Sequence, residues 1–280
     1  MSSLAAALQA ARQTIPIAEA RLLLCHQLGC APAWLEAHRD DPLSAMQRAA
    51  FESLIARRAA GEPVAYLCGT REFYGRDFSV SPAVLIPRPE TELLVELVLV
   101  KAKDAARMRI LDLGTGSGCI AITLALELPL AQVSAADASA AALAVATENG
   151  RRLGARVRFV ESDWFAAFGT EQFDVVVANP PYVSANDPHL TQGDLRHEPI
   201  TALQSGADGL DAIRQILAHA PEHLQPGGWL LLEHGYDQAS FVASLLAAAG
   251  LEAIEQHRDL GGVVRLSGGR KRLTDAVPDR

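Results

Sequence analysis

A short apolar segment followed by a turn with three alternating glycines is the feature that most constrains the fold of this chain. Arg109–Leu113 is typical of a buried strand, and an apolar helix pattern runs from about Cys119 to Glu127. Glycines let a ligand approach the backbone closely, and the first turn of a helix attracts a carboxylate or phosphate. The pattern therefore predicts an α/β domain with a ligand site at the turn residues Gly114, Thr115, Gly116, Ser117 and Gly118.

The glycine spacing departs from the dinucleotide-binding fingerprint. That fingerprint, GxGxxG, requires a glycine at position 119, and the residue there is Cys119. The departure argues against a nicotinamide cofactor, and the turn alone leaves several nucleotide-like cofactors open.

Asp137 strengthens the prediction of a nucleotide-like ligand. It comes directly after the predicted strand 132–136, where its carboxylate could accept hydrogen bonds from both hydroxyls of a ribose. The alternative is an N-cap role on a helix that begins near Ser139.

A third predicted strand, 157–160, is followed by another acidic residue beside aromatic ones. Asp163 could accept from an adenine amino group while Trp164 or Phe165 covers the ring. The alternative is a simple loop around a core tryptophan.

The tetrapeptide Asn179, Pro180, Pro181 and Tyr182 directly follows the strand pattern Phe173–Ala178. It is therefore expected at the carboxyl end of a buried strand, where open α/β sheets bind ligands. The prolines fix the backbone, so the Pro180 carbonyl should lie in a set direction beside the Asn179 side-chain oxygen. Two acceptors then converge on one NH2 group, and Tyr182 offers a flat face for a planar amide or base. The alternative is a turn that ends a strand, with Tyr182 in the core.

Several further motifs lie before the glycine turn and after the NPPY tetrapeptide. Upstream are the segments 61–67, 71–75 and 85–92, which read GEPVAYL, REFYG and LIPRPETE. Downstream are 187–190, 193–194, 196–199 and 231–235, which read DPHL, GD, RHEP and LLEHG. Together with the glycine turn and the NPPY tetrapeptide, they resemble the peptide chain release factor glutamine methyltransferases, the PrmC or HemK family of class I S-adenosylmethionine-dependent methyltransferases. The resemblance runs from near Ile17 to about Ser267.

The resemblance implies methyl transfer from S-adenosylmethionine to the side-chain amide nitrogen of the glutamine in the Gly-Gly-Gln motif of class I release factors. We expect the cofactor to contact Gly114, Thr115, Gly116, Ser117, Gly118, Asp137, Asp163, Trp164 and Asn179. We expect the substrate to contact Asn179, Pro180, Pro181, Tyr182, Phe73 and Arg88, with Asn179, Pro180 and Tyr182 as the catalytic residues. Phe73 and Tyr182 have the alternative of core packing, and Arg88 that of a surface ion pair with Glu90.

The expected fold is a Rossmann-like α/β methyltransferase sheet with a small helical N-terminal domain and a connecting β-hairpin. Helices are predicted from Pro16 to Gln27 and from Ser44 to Ala60, and a hairpin between Tyr66 and Val80. The predicted domains are a helical substrate-recognition domain at 1–62, a hairpin linker at 63–88, a methyltransferase domain at 89–268 and a flexible tail at 269–280. The helical domain either helps to seat the release factor or only packs onto the catalytic domain.

The segment after the tetrapeptide completes the α/β pattern. Residues 184–209 are polar and predict a long loop near the site, in which His189 and His197 either touch substrate or lie at the surface. Beyond it we predict helices at 210–223 and 240–249, a turn at 225–228 and a strand at 229–233. Strands at 253–257 and 263–267 should form an antiparallel edge, and residues 268–280 should fray.

Composition limits the class of protein. A content of 49% hydrophobic and 21% charged residues is that of a globular protein. The formal net charge is −8, with the excess of acids in residues 89–280, which suits a partly basic partner protein better than nucleic acid phosphates. No apolar run is long enough to cross a bilayer and no secretory signal is apparent, so we expect a cytoplasmic monomer. Cysteines without metal-binding spacing predict reduced thiols and no metal; they are Cys25, Cys30, Cys68 and Cys119.

Three alternative functions stay open. An enzyme that methylates an exocyclic amine of a nucleic acid base could use the same tetrapeptide, although the chain lacks a basic patch. A ribosomal-protein glutamine methyltransferase is disfavoured by the segment 86–92. A non-enzymatic module that only binds the cofactor is disfavoured by the intact Asn179 and Tyr182.

Overall fold

The structure is a computed structural model that describes residues 3–102 and 107–273. The chain divides into two compact units, Met1–Arg71 with Thr191–His197, and Glu72–Leu190 with Glu198–Arg280. The helices of the described residues are α1 (Leu4–Ala11), α2 (Ile17–Leu28), α3 (Pro32–Ala37), α4 (Ala45–Ala59), α5 (Val64–Cys68), α6 (Glu92–Lys101), α7 (Cys119–Glu127), α8 (Ala140–Leu153), α9 (Asp211–His223) and α10 (Ala239–Ala248). The strands are β1 (Thr70–Phe73), β2 (Arg76–Ser79), β3 (Arg109–Leu113), β4 (Gln132–Asp137), β5 (Val157–Glu161), β6 (Phe173–Ala178), β7 (Leu224–Glu233), β8 (Glu252–Arg258) and β9 (Val264–Arg270).

The first unit is built from helices α1 to α5. Helix α4 begins with a capping box, in which Ser44 Oγ accepts from the Gln47 N–H at 3.2 Å and Gln47 Oε1 accepts from the Ser44 N–H at 3.0 Å. Helix α2 ends at Gly29, which adopts a left-handed conformation. The two predicted helices are thus confirmed as α2 and α4, and their buried faces meet in a core that includes Leu23, Leu24 and Phe51.

Strands β1 and β2 form a two-stranded sheet, which confirms the predicted hairpin. The prediction was wrong about its start, because the helix α5 occupies Val64–Cys68. Pro63 directly precedes this helix and Gly69 ends it with a positive φ of 71°. A proline before a helix and a glycine after it delimit the helical turn, so the first strand begins only at Thr70.

The second unit contains a seven-stranded sheet with the order β5-β4-β3-β6-β7-β9-β8. Strands β5, β4, β3, β6 and β7 are parallel, whereas β9 pairs antiparallel with both β7 and β8. The predicted sheet and its antiparallel edge are confirmed. The chain order reverses on either side of β3, and such a switch point leaves a crevice at the carboxyl ends of the strands.

The sheet separates two hydrophobic cores. In β6, Val175 and Val177 point into one core and Val176 and Ala178 into the other, as expected for a strand buried on both faces. Helices α6 and α7 contribute to the first core, and α9 and α10 to the second. Burial on both faces explains why the strand patterns are continuously apolar.

Two predictions at the carboxyl-terminal end of the chain were wrong. The predicted turn at 225–228 lies inside β7 as an irregularity, since pairing with β6 shifts between Leu224 and Trp229. The predicted frayed segment begins too early, because β9 continues through Arg270. Backbone hydrogen bonds join the two segments and keep each of them ordered. The Gly227 N–H donates to the Lys271 carbonyl at 3.0 Å, and the Lys271 N–H donates to the Gly228 carbonyl at 2.8 Å. The rest of the predicted tail, 274–280, lies outside the described residues.

Within residues 3–102 and 107–273, no helix is both long and apolar enough to span a membrane. All four cysteines are free thiols in the structure.

Candidate active site

A cavity of about 460 Å³ lies at the carboxyl ends of the parallel strands. The register places these ends side by side, because Leu113 pairs with Ala136 of β4 and with Ala178 of β6, and Ala178 pairs with Leu232 of β7. Ten of the predicted site residues line this cavity: Arg88, Gly114, Thr115, Gly116, Ser117, Asp137, Asp163, Trp164, Asn179 and Pro181.

The glycine turn and Asp137 form one hydrogen-bonded wall. Asp137 Oδ2 accepts from the Gly116 N–H at 2.9 Å, and its Oδ1 accepts from the Ser139 N–H at 2.9 Å. The alternative N-cap role for Asp137 is wrong, because Ser139 Oγ accepts from the Ala142 N–H at 3.2 Å and caps α8 itself. Each carboxylate oxygen of Asp137 keeps further acceptor capacity, which suits a ribose diol.

Trp164 closes another side of the cavity. Its Nε1–H donates to Gln215 Oε1 at 2.8 Å, which fixes the indole, and its backbone has a positive φ of 47°. Asp163 lies beside it and is exposed. Phe165 does not face the cavity, because it is buried in the second core and stacks on His223 with ring centroids 4.5 Å apart. Trp164 is therefore the aromatic residue available to a bound ring.

Beneath the glycine turn lies Asp112, which is completely buried. Its Oδ2 accepts from the Thr115 hydroxyl at 2.7 Å and from the Ala121 N–H at 3.3 Å, whereas Oδ1 has no hydrogen-bond partner within the described part of the chain. Burial raises the pKa of Asp112 to about 7, against the hydrogen bonds that lower it. This side chain ties the turn to the start of α7.

Asn179 takes part in a connected series of hydrogen bonds that ends on the buried carboxylate of Glu233. Its Nδ2 donates to Thr91 Oγ1 at 3.1 Å, and the Thr91 hydroxyl donates to Glu233 Oε2 at 2.7 Å. The Tyr182 hydroxyl donates to the other oxygen, Glu233 Oε1, at 3.2 Å. Burial raises the pKa of Glu233 to about 7, and burial also raises the pKa of Tyr182. Glu233 thus anchors two side chains of the tetrapeptide.

Arg88 reaches the cavity from the segment that precedes α6. Its Nη2 donates to Glu198 Oε1, and Glu198 Oε2 accepts from the Ile86 N–H at 3.0 Å. The side chain of Glu198 is fully buried, whereas that of Arg88 is 31% exposed. The alternative pairing of Arg88 with Glu90 is wrong, because Glu198 is its partner.

The backbone that follows the tetrapeptide is also held. Gln238 Nε2 donates to the Tyr182 carbonyl at 3.0 Å, and the Val183 N–H donates to the Leu203 carbonyl at 2.8 Å. The predicted long loop contains short 3-10 helices at Pro188–Thr191, Leu195–His197 and Ile200–Ala202. Pro199, Thr201 and Ala202 of this loop line the cavity, as its predicted place near the site requires.

Four predicted site residues do not line the cavity: Phe73, Gly118, Pro180 and Tyr182. Phe73 is 1% exposed and packs edge-on against Phe78 in the first core, so its predicted place as a wall of the site was wrong. Pro180 is buried between two lining residues, and Tyr182 is half-buried beside Glu233. Gly118 forms the start of α7 behind the turn.

Neither predicted histidine lines the cavity. The ring of His189 is exposed and contacts Asp187 Oδ1 at 2.6 Å, whereas His197 belongs to the first unit and contacts Arg196. The surface alternative is the one that the structure supports.

Thr91, Glu198 and Glu233 are the site residues that sequence reasoning missed. Glu233 had a usable signal, because it is an acid at the carboxyl end of an apolar strand, the position that also marked Asn179. Thr91 and Glu198 had only their place in the resembling motifs, since their partners lie 142 and 110 residues away in sequence.

These groups fit S-adenosylmethionine. The cavity offers a carboxylate for a ribose, an indole for a ring, and a glycine turn at the start of α7 that suits a carboxylate. Its volume is within the range of small-molecule sites. No group of His, Cys, Asp and Glu side chains within the described residues is arranged to hold a metal ion. Sheet order, glycine turn and acid at the end of β4 together define a class I S-adenosylmethionine-dependent methyltransferase.

Comparison with known proteins narrows this class. The PrmC N-terminal domain matches residues 1–69 and the methyltransferase small domain matches residues 89–206. The chain belongs to the release factor glutamine methyltransferase family: it is 51% identical over 271 residues to the release factor glutamine methyltransferase of Xylella fastidiosa, which covers 96% of this chain and 98% of that one. It is 52% identical over 259 residues to the corresponding Burkholderia pseudomallei protein, over 90% of this chain and 91% of that one.

A solved structure supports the fold alone. The 16S rRNA N2 G1207 methyltransferase of T. thermophilus, in complex with AdoMet and guanosine, has a TM-score of 0.55 and 19% identity, over 72% of this chain and 50% of that one.

Proposed function

We propose that this protein transfers a methyl group from S-adenosylmethionine to the side-chain amide nitrogen of the glutamine in the Gly-Gly-Gln motif of class I release factors. Its family membership and its relatives' names support the substrate. One observation carries the chemistry: Asn179 and Pro181 line the same cavity as the glycine turn and Asp137. The residues proposed to bind the amide and those proposed to bind the nucleotide part of the cofactor therefore border the same cavity.

The side chains and backbone groups that line the cavity suggest which part of it takes the cofactor. We propose that Asp137 binds the ribose, that Trp164 and Asp163 face the adenine, and that the turn with Asn179 borders the remainder of the cofactor. The turn residues that line the cavity are Gly114, Thr115, Gly116 and Ser117, with Gly118 supporting them from behind. When bound, S-adenosylmethionine supplies an electrophilic methyl group on a positively charged sulfur.

The substrate side has to position a poor nucleophile. An amide nitrogen is weakly nucleophilic because its lone pair is delocalised, so accurate placement supplies much of the rate. We propose that Asn179 Oδ1 and the Pro180 carbonyl accept from the two N–H bonds of the target amide and offset the positive charge that develops on nitrogen. Tyr182, Pro181 and Arg88 would border the substrate, while Phe73 acts only through packing.

The proposed activity also bears on partner, location and domain roles. Release factors act in translation, so we propose a cytoplasmic enzyme that works as a monomer on a protein substrate without binding nucleic acid directly. We propose residues 1–62 for substrate recognition, 63–88 as the hairpin linker, and 89–268 with the end of β9 at Arg270 for methyl transfer.

The substrate is tested with the purified enzyme and labelled S-adenosylmethionine. The candidates are a class I release factor, the same factor with its Gly-Gly-Gln glutamine changed to alanine, a ribosomal protein mixture and duplex DNA. We expect label only in the unaltered release factor. Equal labelling of the glutamine-to-alanine factor, or preferential labelling of ribosomal protein or DNA, overturns the proposal.

Asn179→Ala should lower the rate of release factor methylation by about a hundredfold or more, because one preorganised hydrogen-bond partner of the target amide is lost. The measurement is single-turnover methyl transfer, with thermal melting to confirm folding. Asn186→Ala is the matched control, since Asn186 is exposed and does not line the cavity. Unchanged methyl transfer by Asn179→Ala would contradict the assigned role.

A further inference from the structure

The Asn179 carboxamide is held by two residues that sequence reasoning did not place in the site. Its Nδ2 donates to Thr91 Oγ1 at 3.1 Å, and the Thr91 hydroxyl donates to Glu233 Oε2 at 2.7 Å. Thr91 and Glu233 are each 2% exposed. Bulk solvent therefore has almost no access to either side chain, and their hydrogen bonds to protein groups decide how they are oriented.

The order of donors in this series of hydrogen bonds fixes which end of the Asn179 carboxamide faces Thr91. A carboxylate only accepts hydrogen bonds, so the single proton of the Thr91 hydroxyl is committed to Glu233. The Thr91 oxygen can then only accept, and the group of Asn179 that faces it has to be the NH2 rather than the carbonyl. The opposite orientation would place two oxygens against each other without a proton between them.

The position of Thr91 shows that its hydroxyl serves this network. Thr91 stands at the N-cap position of α6, where a threonine side chain commonly accepts from a backbone N–H of the helix. No such bond exists here, because a 3-10 turn at Pro89–Thr91 leads into the helix and leaves the hydroxyl free to reach Glu233. The helix start thus presents Thr91 to the site.

We propose that Thr91 and Glu233 are positioning residues that turn the carbonyl oxygen of the Asn179 side chain toward the target amide. The inference rests on the proposed function, in which that oxygen accepts from the glutamine NH2. Without the Glu233 carboxylate, Thr91 can donate to Asn179 instead, the carboxamide can reverse, and its NH2 then opposes the NH2 of the substrate. Glu233 also accepts from Tyr182, so one carboxylate orients both polar side chains of the tetrapeptide.

Protonation of Glu233 should make the orientation of the Asn179 carboxamide less well defined, since a protonated carboxyl can itself donate to Thr91. The groups that face Glu233 are Thr91 and Tyr182 by hydrogen bonds, Arg265 and Glu90 by charge, and the buried Cys119 thiol, whose own pKa it helps to raise. Arg265 favours the carboxylate, whereas Glu90 and burial oppose it. Methylation should therefore rise with pH through neutrality in the unaltered enzyme.

The test compares Thr91→Val, Thr91→Ser and Glu233→Gln with the unaltered enzyme in release factor methylation. We expect Thr91→Val and Glu233→Gln to lower kcat about tenfold to a hundredfold with KM for the release factor nearly unchanged, because the lost interaction acts on the reacting amide. Thr91→Ser, which keeps the hydroxyl, should retain at least about half of kcat. Both impaired variants should also lose the rise of kcat near neutral pH.

Thr123→Val is the matched control, because Thr123 is fully buried and its hydroxyl has no hydrogen-bond partner among the described residues. It should leave kcat and its pH profile unchanged. Wild-type kcat in Thr91→Val, or an equal loss in Thr91→Ser, overturns the positioning role. If Thr91→Val does not fold, the Thr91→Ser result and the pH profile of Glu233→Gln decide between the same outcomes. An unaltered enzyme that fails to methylate release factor refutes the proposed function instead, so the two failures are distinguishable.

Discussion

At the scale of single residues, the ion pair of Arg88 and Glu198 shows how a charged side chain is positioned at the edge of the cavity. Glu198 is fully buried and accepts from Arg88 with one oxygen and from the Ile86 N–H with the other. A buried carboxylate with a charged partner and a backbone donor is well satisfied, but each donor depends on it. Glu198 therefore fixes both the backbone at Ile86 and the guanidinium at the cavity.

Glu198→Ala should lower the free energy of unfolding by about 2 kcal/mol, because it leaves the Ile86 N–H and part of Arg88 without an acceptor. The measurement is urea unfolding followed by circular dichroism. Glu96→Ala on α6 is the control, since Glu96 is exposed, and it should change stability by less than about 0.5 kcal/mol. Equal stability of the two variants would show that the buried carboxylate is dispensable.

Residues at strand ends could be predicted from sequence, whereas those contributed by distant segments could not. Asp137 and Asn179 follow apolar strands directly, and the carboxyl ends of parallel strands meet at one edge, so their shared cavity was foreseeable. Phe73 could not be assigned, because an aromatic residue in a core and one in a site wall have the same local pattern. Thr91 was also hidden, since its partner Glu233 is 142 residues away.

At the scale of elements, the glycine turn joins β3 to α7 and packs α7 against α8. A Cβ on Gly118 would lie 2.7 Å from Ile122 Cδ1 and 3.1 Å from Ala146 Cβ, whereas a Cβ on Gly116 would meet no atom of residues 3–102 and 107–273 within 4 Å. Both glycines have a positive φ, +81° and +55° respectively. The same substitution at the two positions therefore separates steric crowding from backbone strain.

Gly118→Ala should destabilise the protein by about 2 to 4 kcal/mol, through overpacking between α7 and α8 together with the cost of a positive φ. Gly116→Ala should cost only about 1 kcal/mol, because the strain of the positive φ acts alone. Thermal and urea unfolding of the two variants without cofactor gives the comparison. Equal losses would mean that the space behind Gly118 relaxes and that backbone strain accounts for both.

Elements were predictable where local pattern alone specifies them. The bounds of β3 and β6 match their predictions, because short β-branched and apolar segments between turn residues leave few alternatives. The irregularity in β7 and the continuation of β9 to Arg270 depend on hydrogen bonds between Gly227, Gly228 and Lys271. Such pairing joins segments that are far apart in the sequence. The local pattern of proline and glycine at 225–228 therefore predicted a turn where the structure has an irregular stretch of β7.

At the scale of the whole molecule, buried carboxyls should give the stability an unusual dependence on pH. Burial raises the pKa of Asp112 and of Glu233 to about 7 in each case, above their ordinary values of 3.8 and 4.5. A raised folded-state pKa means that the folded protein binds the proton more tightly than the unfolded chain does. Each group therefore contributes stability that is fully present below its unfolded pKa and is lost as pH rises through about 7.

Other carboxyls act in the opposite sense but in a different range. The pKa of Asp208 is lowered to about 2 by its hydrogen bond from Arg214, so its contribution is lost only as pH falls through that value. Asp208 and Arg214 are both about half exposed, so solvent weakens this contribution. Among these carboxyls, only Asp112 and Glu233 should therefore change the stability between about pH 4.5 and 7. Burial also lowers the pKa of His234, which opposes their decline below the ordinary histidine value of 6.5.

Asp112→Asn should remove part of this decline. Asparagine keeps an oxygen for the Thr115 hydroxyl and carries no charge to bury, so the variant should gain on the order of a few kcal/mol relative to the unaltered protein between pH 4.5 and pH 8. The measurement is the melting temperature across that range, without cofactor, with Asp77→Asn as the control because Asp77 is exposed. Parallel curves for Asp112→Asn and the unaltered protein would mean that Asp112 is not protonated preferentially in the fold. A flatter curve for Asp112→Asn alone would instead show that the glycine turn is built over a carboxyl that the folded protein keeps largely neutral below about pH 7.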